Sequence, residues 1–135
     1  MLDSSNALIA AIRSRLLEDP AISAVVGDRV FDEPLETVAF PWIQVGDTQV
    51  IQFEGMCTRG VQVFLSIHVW VRDAWAGDVM RDLCSAIYQS LHRQKFPVVG
   101  HALQLLEHQT TRTFRDPDGK TRHGLIEIRA DTTAA

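Results

Sequence analysis

Five histidines (His68, His92, His101, His108, His123), the thiols Cys57 and Cys84, and the carboxylates Glu54, Asp116 and Asp118 are the side chains whose types could do chemistry. His68 and His108 fall in strand-like runs and would make a metal pair if they met across one sheet face. A zinc site needs three or four ligands, and the spacing brings no third one into view. Glu54 precedes Gly55, and Asp116 and Asp118 flank Pro117, so each pairs a carboxylate with a turn former rather than with apolar residues that would raise its pKa. Cys57 lies two residues from Arg59, which would lower its thiol pKa, yet no base or oxyanion site accompanies it. Cys84 reads as a small apolar residue on a helix face. The two cysteines sit in different elements without CxxC spacing, so no disulfide is expected. HExxH, GxSxG, GxxxxGK[ST] and GxGxxG are all missing, and neither a reaction nor a cofactor or metal is indicated.

A second kind of chemistry is contact. RDPDGKTRHG, residues 115 to 124, crowds charges around a turn: Pro117 presets one backbone angle, Asp118 can bond its own backbone, and Gly119 accepts the left-handed conformation that closes a hairpin. Arg115, Lys120, Arg122 and His123, mixed with Asp116 and Asp118, suit a salt-linked contact with a neighbouring copy better than a phosphate groove. Trp42, Trp70 and Trp75 belong to a residue type enriched in cores and at interface hot spots. Trp70 shares the less apolar face of its strand with Phe64 and His68, a face that another subunit would cover well.

These residues need elements to hold them. Leu8, Ile12 and Leu16 recur at four-residue steps, flanked by Ile9 and Leu17, and Asp3, Ser4 and Ser5 offer caps, which predicts a first amphipathic helix. Asp19-Pro20 ends it and starts a short second helix that stops at Gly27. Phe40 to Val45 has strand composition, with Pro41 at a strand start. Over residues 47 to 60 the pattern predicts that strand continuing into a loop from Glu54 to Gly60, or a projecting hairpin arm. VQVFLSIHVWV alternates without a break, Val61 through Val71 on one face and Gln62, Phe64, Ser66, His68 and Trp70 on the other. A long helix follows from about residue 73 to Arg93, with Val79, Leu83, Ile87 and Leu91 in one row. Residues 98 to 114 read as extended, Leu103, Leu105, Gln109 and Thr111 alternating with Leu106, His108, Thr110 and Arg112. A last strand runs from about His123 to Asp131, setting Ile126, Ile128 and Ala130 against a charged face, and Thr132 to Ala135 reads as a flexible tail. The expected fold is a single α+β domain over residues 1–131, a largely antiparallel or mixed sheet with two main helices on one face.

Composition narrows the partners. A formal charge of -4 argues against general nucleic-acid binding, which needs an excess of lysine and arginine over one face. No run approaches the roughly 18 apolar residues of a membrane helix and no export signal is visible, so the chain is expected in the cytosol where it is made.

Four stretches together point further: NALIAAIRSRLLEDPAISAVVGDRVFDEP, FPWIQVGD, TRGVQVFLSIHVWVRD and FRDPDGKTRHGLIEIRA. In that order, across nearly the whole chain, the sequence resembles the tail completion, or tail terminator, proteins of long-tailed bacteriophages, prophages and gene transfer agents. The resemblance implies a structural subunit of a virion or phage-like particle, neither enzyme nor cofactor carrier. It implies a homo-oligomeric ring, expected as a hexamer, at the head-proximal end of the tail tube. There it would end tube growth and join the tail to the head connector or stopper protein, with DNA passing through the lumen unbound. Glu54, Arg59, Trp70, Arg115, Asp116, Asp118, Lys120, Arg122 and His123 are the expected interface residues, assigned from the pattern of this sequence. A head-side stopper, or a small ligand-binding or enzymatic domain built on His68, His108 and Cys57, are the alternatives.

Overall fold

In the computed structural model the described residues are 2–33, 37–54, 59–72 and 76–135. Cys57, Trp75 and the middle of the loop expected between Glu54 and Gly60 lie outside them. Helix α1 spans Ser5–Glu18 and α2 spans Pro20–Val26. Strand β1 is Val30–Phe31, β2 Trp42–Glu54 and β3 Arg59–Arg72; helix α3 is Ala76–Leu91, followed by β4 His101–Arg115 and β5 Thr121–Ala134.

The helix starts show what each cap residue does. Asp19 accepts from the Ala21 N–H at 3.0 Å, with Pro20 at the first helical position and Gly27 closing α2 at φ +61°. Ser4 precedes α1 without a side-chain cap bond, because its hydroxyl is engaged elsewhere. It meets the Thr132 hydroxyl at 2.7 Å in the interior. Asp3 takes over the start of the helix, accepting from the Ser5 hydroxyl at 2.6 Å and the Ser5 N–H at 2.8 Å, and these bonds hold its carboxyl below the usual range.

Five strands form one sheet in the order β1-β2-β3-β5-β4, antiparallel throughout except for the short parallel pair β1–β2. Both long helices cover one face, and the core between contains Leu8, Ile12 and Leu16 from α1 and Met80, Leu83, Ile87 and Leu91 from α3. The sheet answers with Val61 through Val71 at every second position and with Ile126, Ile128 and Ala130. The α+β class, mixed sheet and one-sided helices agree with the sequence expectation. Gly124 lets α3 lie close: a Cβ there would stand 2.7 Å from Met80 Sδ and 3.0 Å from Cys84 Sγ.

Three details depart from the expected strands. Strands β2 and β3 pair directly from Trp42↔Trp70 to Glu54↔Arg59, with an irregularity between Gly46 and Thr48 where Asp47 takes φ +57°. The β4 alternation is interrupted twice, between Leu103 and Leu105 and between His108 and Thr110. Leu103 and Leu106 therefore share the buried face, whereas the expected pattern put them on opposite sides. Strand β5 runs to Ala134 with Thr132 fully buried, so the residues expected as a loose tail are strand nearly to the end.

Candidate functional site

The sheet face away from the helices carries a band of rings across the four long strands. Register places Trp42, Trp70, His123 and Phe114 side by side on β2, β3, β5 and β4. Trp42 and Trp70 stack with centroids 4.2 Å apart, Trp70 and His123 at 4.6 Å, and His123 meets Phe114 at 4.8 Å in a tilted contact. At the β2 side, Phe31 and Phe40 lean on Trp42, and the Arg72 guanidinium sits 4.1 Å above the Phe40 ring. Each strand contributes one ring at the same level, so the band is a direct product of pairing register.

His68 lies beside this band. Its ring is 5.3 Å from Trp70, its Nδ1 is 2.9 Å from His123 Nε2, and its Nε2 is 2.9 Å from Asp47 Oδ2. Burial first, and the His68 charge second, pull the His123 pKa down, while Asp116 opposes them. Asp47 is not among the expected interface residues. Its signal lies in the left-handed backbone of the bulge, which turns its carboxylate toward His68.

The β4–β5 turn closes as its sequence requires. Gly119 takes φ +73°, its N–H donates to the Asp116 carbonyl at 3.0 Å, and Asp116 N–H donates to the Thr121 carbonyl at 2.8 Å. Asp118 accepts from Thr121 N–H and Lys120 N–H at 2.8 Å each and from the Thr121 hydroxyl at 2.7 Å. The bonds from Thr121 come first among the causes that bring its carboxyl down to about 2. Arg72 stands 3.7 Å away. The carboxylate of Asp118 thus holds the hairpin together, while Arg115 and Lys120 remain exposed.

The other expected residues divide by place. Trp70 and His123 join the ring band, and Arg115, Asp116 and Lys120 stand at the turn beside it. Arg122 pairs with Val71 on the helix side, where its guanidinium carbon would lie 3.6 Å from a Cβ built on Gly77. Glu54 and Arg59 face each other at the far end of the sheet, beside a hollow of about 420 Å³ also lined by Thr132 and Thr133. One patch does not gather all nine residues.

The enzymatic alternative loses its geometry. His68 is on the outer face, whereas His108 packs on the helix side against Tyr88, with its Nε2 2.6 Å from the Thr111 hydroxyl, so the two do not meet. Burial and the neighbouring His92 lower the His108 pKa. Burial pushes the Cys84 thiol up to about 11, which makes it a packing group rather than a nucleophile. Among the described residues, no three His, Cys, Asp or Glu side chains gather as a metal site.

The sequence matches the family model for tail completion protein gp17 over residues 10–133. The chain belongs to the tail completion protein gp17 family. It is 29% identical over 105 residues to tail completion protein gp17 of Bacillus phage SPP1, covering 76% of this chain and 75% of that one. The fold of this tail completion protein is shared by a chain in the virion of a native gene transfer agent particle, with TM-score 0.88, 21% identity and coverage of 99% and 100% of the two chains. The structure of bacteriophage SPP1 gp17 superposes with TM-score 0.60 at 22% identity over 97% of this chain and 91% of that one. Family membership makes the chain a structural tail protein, and no enzyme activity belongs to that role.

Proposed function

We propose that this tail completion protein assembles into a closed homomeric ring, six copies in all, that caps the head-proximal end of the tail tube. There it ends tube growth and joins the tail to the head connector or stopper protein. The observation that supports this reading best is the outer sheet face. A ring band of Trp42, Trp70, His123 and Phe114 spans four strands, and no element of the described residues lies over it. Trp42, Trp70 and His123 are half-buried and Phe114 is exposed, and aromatic rings offer large, rigid contact area at low entropic cost. The charged turn adjoins them, with Arg115, Asp116 and Lys120 as rim contacts. DNA passes through the lumen without specific binding, in keeping with the charge of -4.

Particles assembled without this chain test the proposal. Tails of irregular, excess length that remain unjoined to heads are expected on electron micrographs. Tails of normal length beside unjoined heads would assign the chain to the head side as a stopper, and intact particles would remove both roles.

A further inference from the structure

The two edges of the sheet are open over different stretches. At the β4 edge the first half is occupied: Arg93 N–H donates to the Leu106 carbonyl at 2.8 Å, the His92 ring accepts from His108 N–H at 3.0 Å, and Lys95 donates to the Gln104 carbonyl at 2.8 Å. From Gln109 to Arg115, β4 has only β5 as a neighbour among the described residues. At the opposite edge, β1 pairs with Ile43 and Gln44 alone, so Asp47 to Glu54 of β2 has only β3 beside it among those residues. Both stretches are rich in strand formers, Thr110, Thr111, Thr113 and Phe114 on one, Val50, Ile51 and Phe53 on the other. Ile51 is 44% exposed and Phe114 38%. Open strands of this length invite another chain to add to them.

Their charges are opposite. The β4 stretch contains Arg112 and Arg115 and no acid; the β2 stretch contains Asp47 and Glu54 and no base. A copy of either edge against itself would set like charges together. One edge against the other matches them, which defines a head-to-tail contact between identical chains.

We propose that the free half of β4, Gln109 to Arg115, adds as a strand to the free half of β2, Asp47 to Glu54, of the next copy in the ring. This rests on the ring reading and names the surfaces that make it. Strand β4 runs antiparallel to β2 within one chain, since both neighbours of β5 oppose it and β2 opposes β3. Copies related by rotation keep that relation, so the new pair is antiparallel, with Arg115 beside Asp47 and Thr48 and with Thr111 opposite Gln52. The two stretches are offset along the strands by about six residues, or ~20 Å, against a width of ~19 Å for four strands. A ring closes when its strands incline by about 45° to the ring axis, at the upper end of the tilt of closed sheets.

The test places purified chain with tail tubes and reads ring formation by sedimentation and negative-stain microscopy, with circular dichroism verifying each variant's fold. Wild type is expected to form rings. Arg115→Glu, and separately Thr48→Lys, both at exposed positions, are each expected to weaken assembly by about tenfold or more. An equimolar mixture of the two variants is expected to restore it, because an alternating ring sets the new carboxylate at position 115 opposite the new ammonium at position 48 in one contact and keeps the wild-type Arg115 beside Asp47 in the other. In a Cys57→Ser background, Thr111→Cys chains are expected to cross-link to Gln52→Cys chains. Wild-type rings that persist unchanged in both charge variants would overturn the strand pairing and leave the ring intact. Thr111→Cys cross-linking to itself would overturn it in favour of a two-fold contact. Wild-type chain that forms no ring on tubes would remove the ring reading, and the pairing with it.

Discussion

His68 Nδ1 and His123 Nε2 lie 2.9 Å apart, and the other nitrogen of His68 faces Asp47 at the same distance. With both rings neutral, His68 donates to Asp47 and accepts from His123. One added proton fits, since His68 then donates to both neighbours. A second leaves two donors face to face and breaks the pair.

This gives a pH dependence with a definite sign. His123 and His108 both have pKa values below the ordinary 6.5 in the fold, so the unfolded chain binds more protons as pH falls through that value. Stability is complete above pH 6.5 and is lost progressively below it. Melting temperature measured from about pH 8 to about pH 5 is expected to fall, and His123→Phe to flatten that fall. A wild-type curve that is level or rising toward the acid end would contradict it.

Asp118→Ala is expected to loosen the β4–β5 turn by removing three acceptor bonds to Lys120 and Thr121. The readout is faster amide exchange at Lys120 and Thr121, with the core strands unchanged. Asp118→Asn keeps a carbonyl acceptor and should preserve most of the protection. With the carboxyl at about 2, lost stability from this group begins only as pH falls below the ordinary carboxylate value of 3.8 toward that number.

Gly124→Ala is expected to cost about 1–3 kcal/mol in urea denaturation, because the added methyl meets Met80 and Cys84 of α3. Met80→Ala combined with it should recover part of that loss, since the side chain in the way is shortened. Additive losses would mean the helix does not press on this glycine.

Ser4 and Thr132 form a buried hydroxyl pair across 128 residues of sequence. Ser4→Ala is expected to destabilise by about 1–2 kcal/mol, leaving the Thr132 hydroxyl unpaired. Thr132→Val should cost a similar amount, and the double variant less than the sum. Strict additivity in a denaturation cycle would show that the pair is not coupled.

Much of the architecture is legible in the sequence because periodicity reports burial. Val61 to Val71 reveal one face of β3 through strict alternation, and the Leu8, Ile12, Leu16 row reveals α1. The bulges are not legible, since an extra residue at 47, 104 or 109 has no composition of its own and is set by pairing with the neighbouring strand. The C-terminal residues look loose for a related reason: Thr132 and Thr133 are polar, and only the distant Ser4 explains why one of them is buried. Of the ring band, Trp70 and His123 can be named from the sequence, whereas Trp42, Phe114 and the His68–His123 bond depend on register between strands far apart in the chain.

The irregularity at Asp47 acts as a reading-frame shift for the sheet. Before it, Gln44 points outward with Trp42; after it, Ile51 and Phe53 do, while Val50 turns inward. Straightening the strand with Asp47 still in line would exchange inside and outside for everything from Thr48 to Glu54, whereas deleting Asp47 itself would leave those faces as they are, because Gly46 and Thr48 already oppose consecutive residues of β3. Relatives without the bulge should therefore be one residue shorter along this strand and still bury the same side chains.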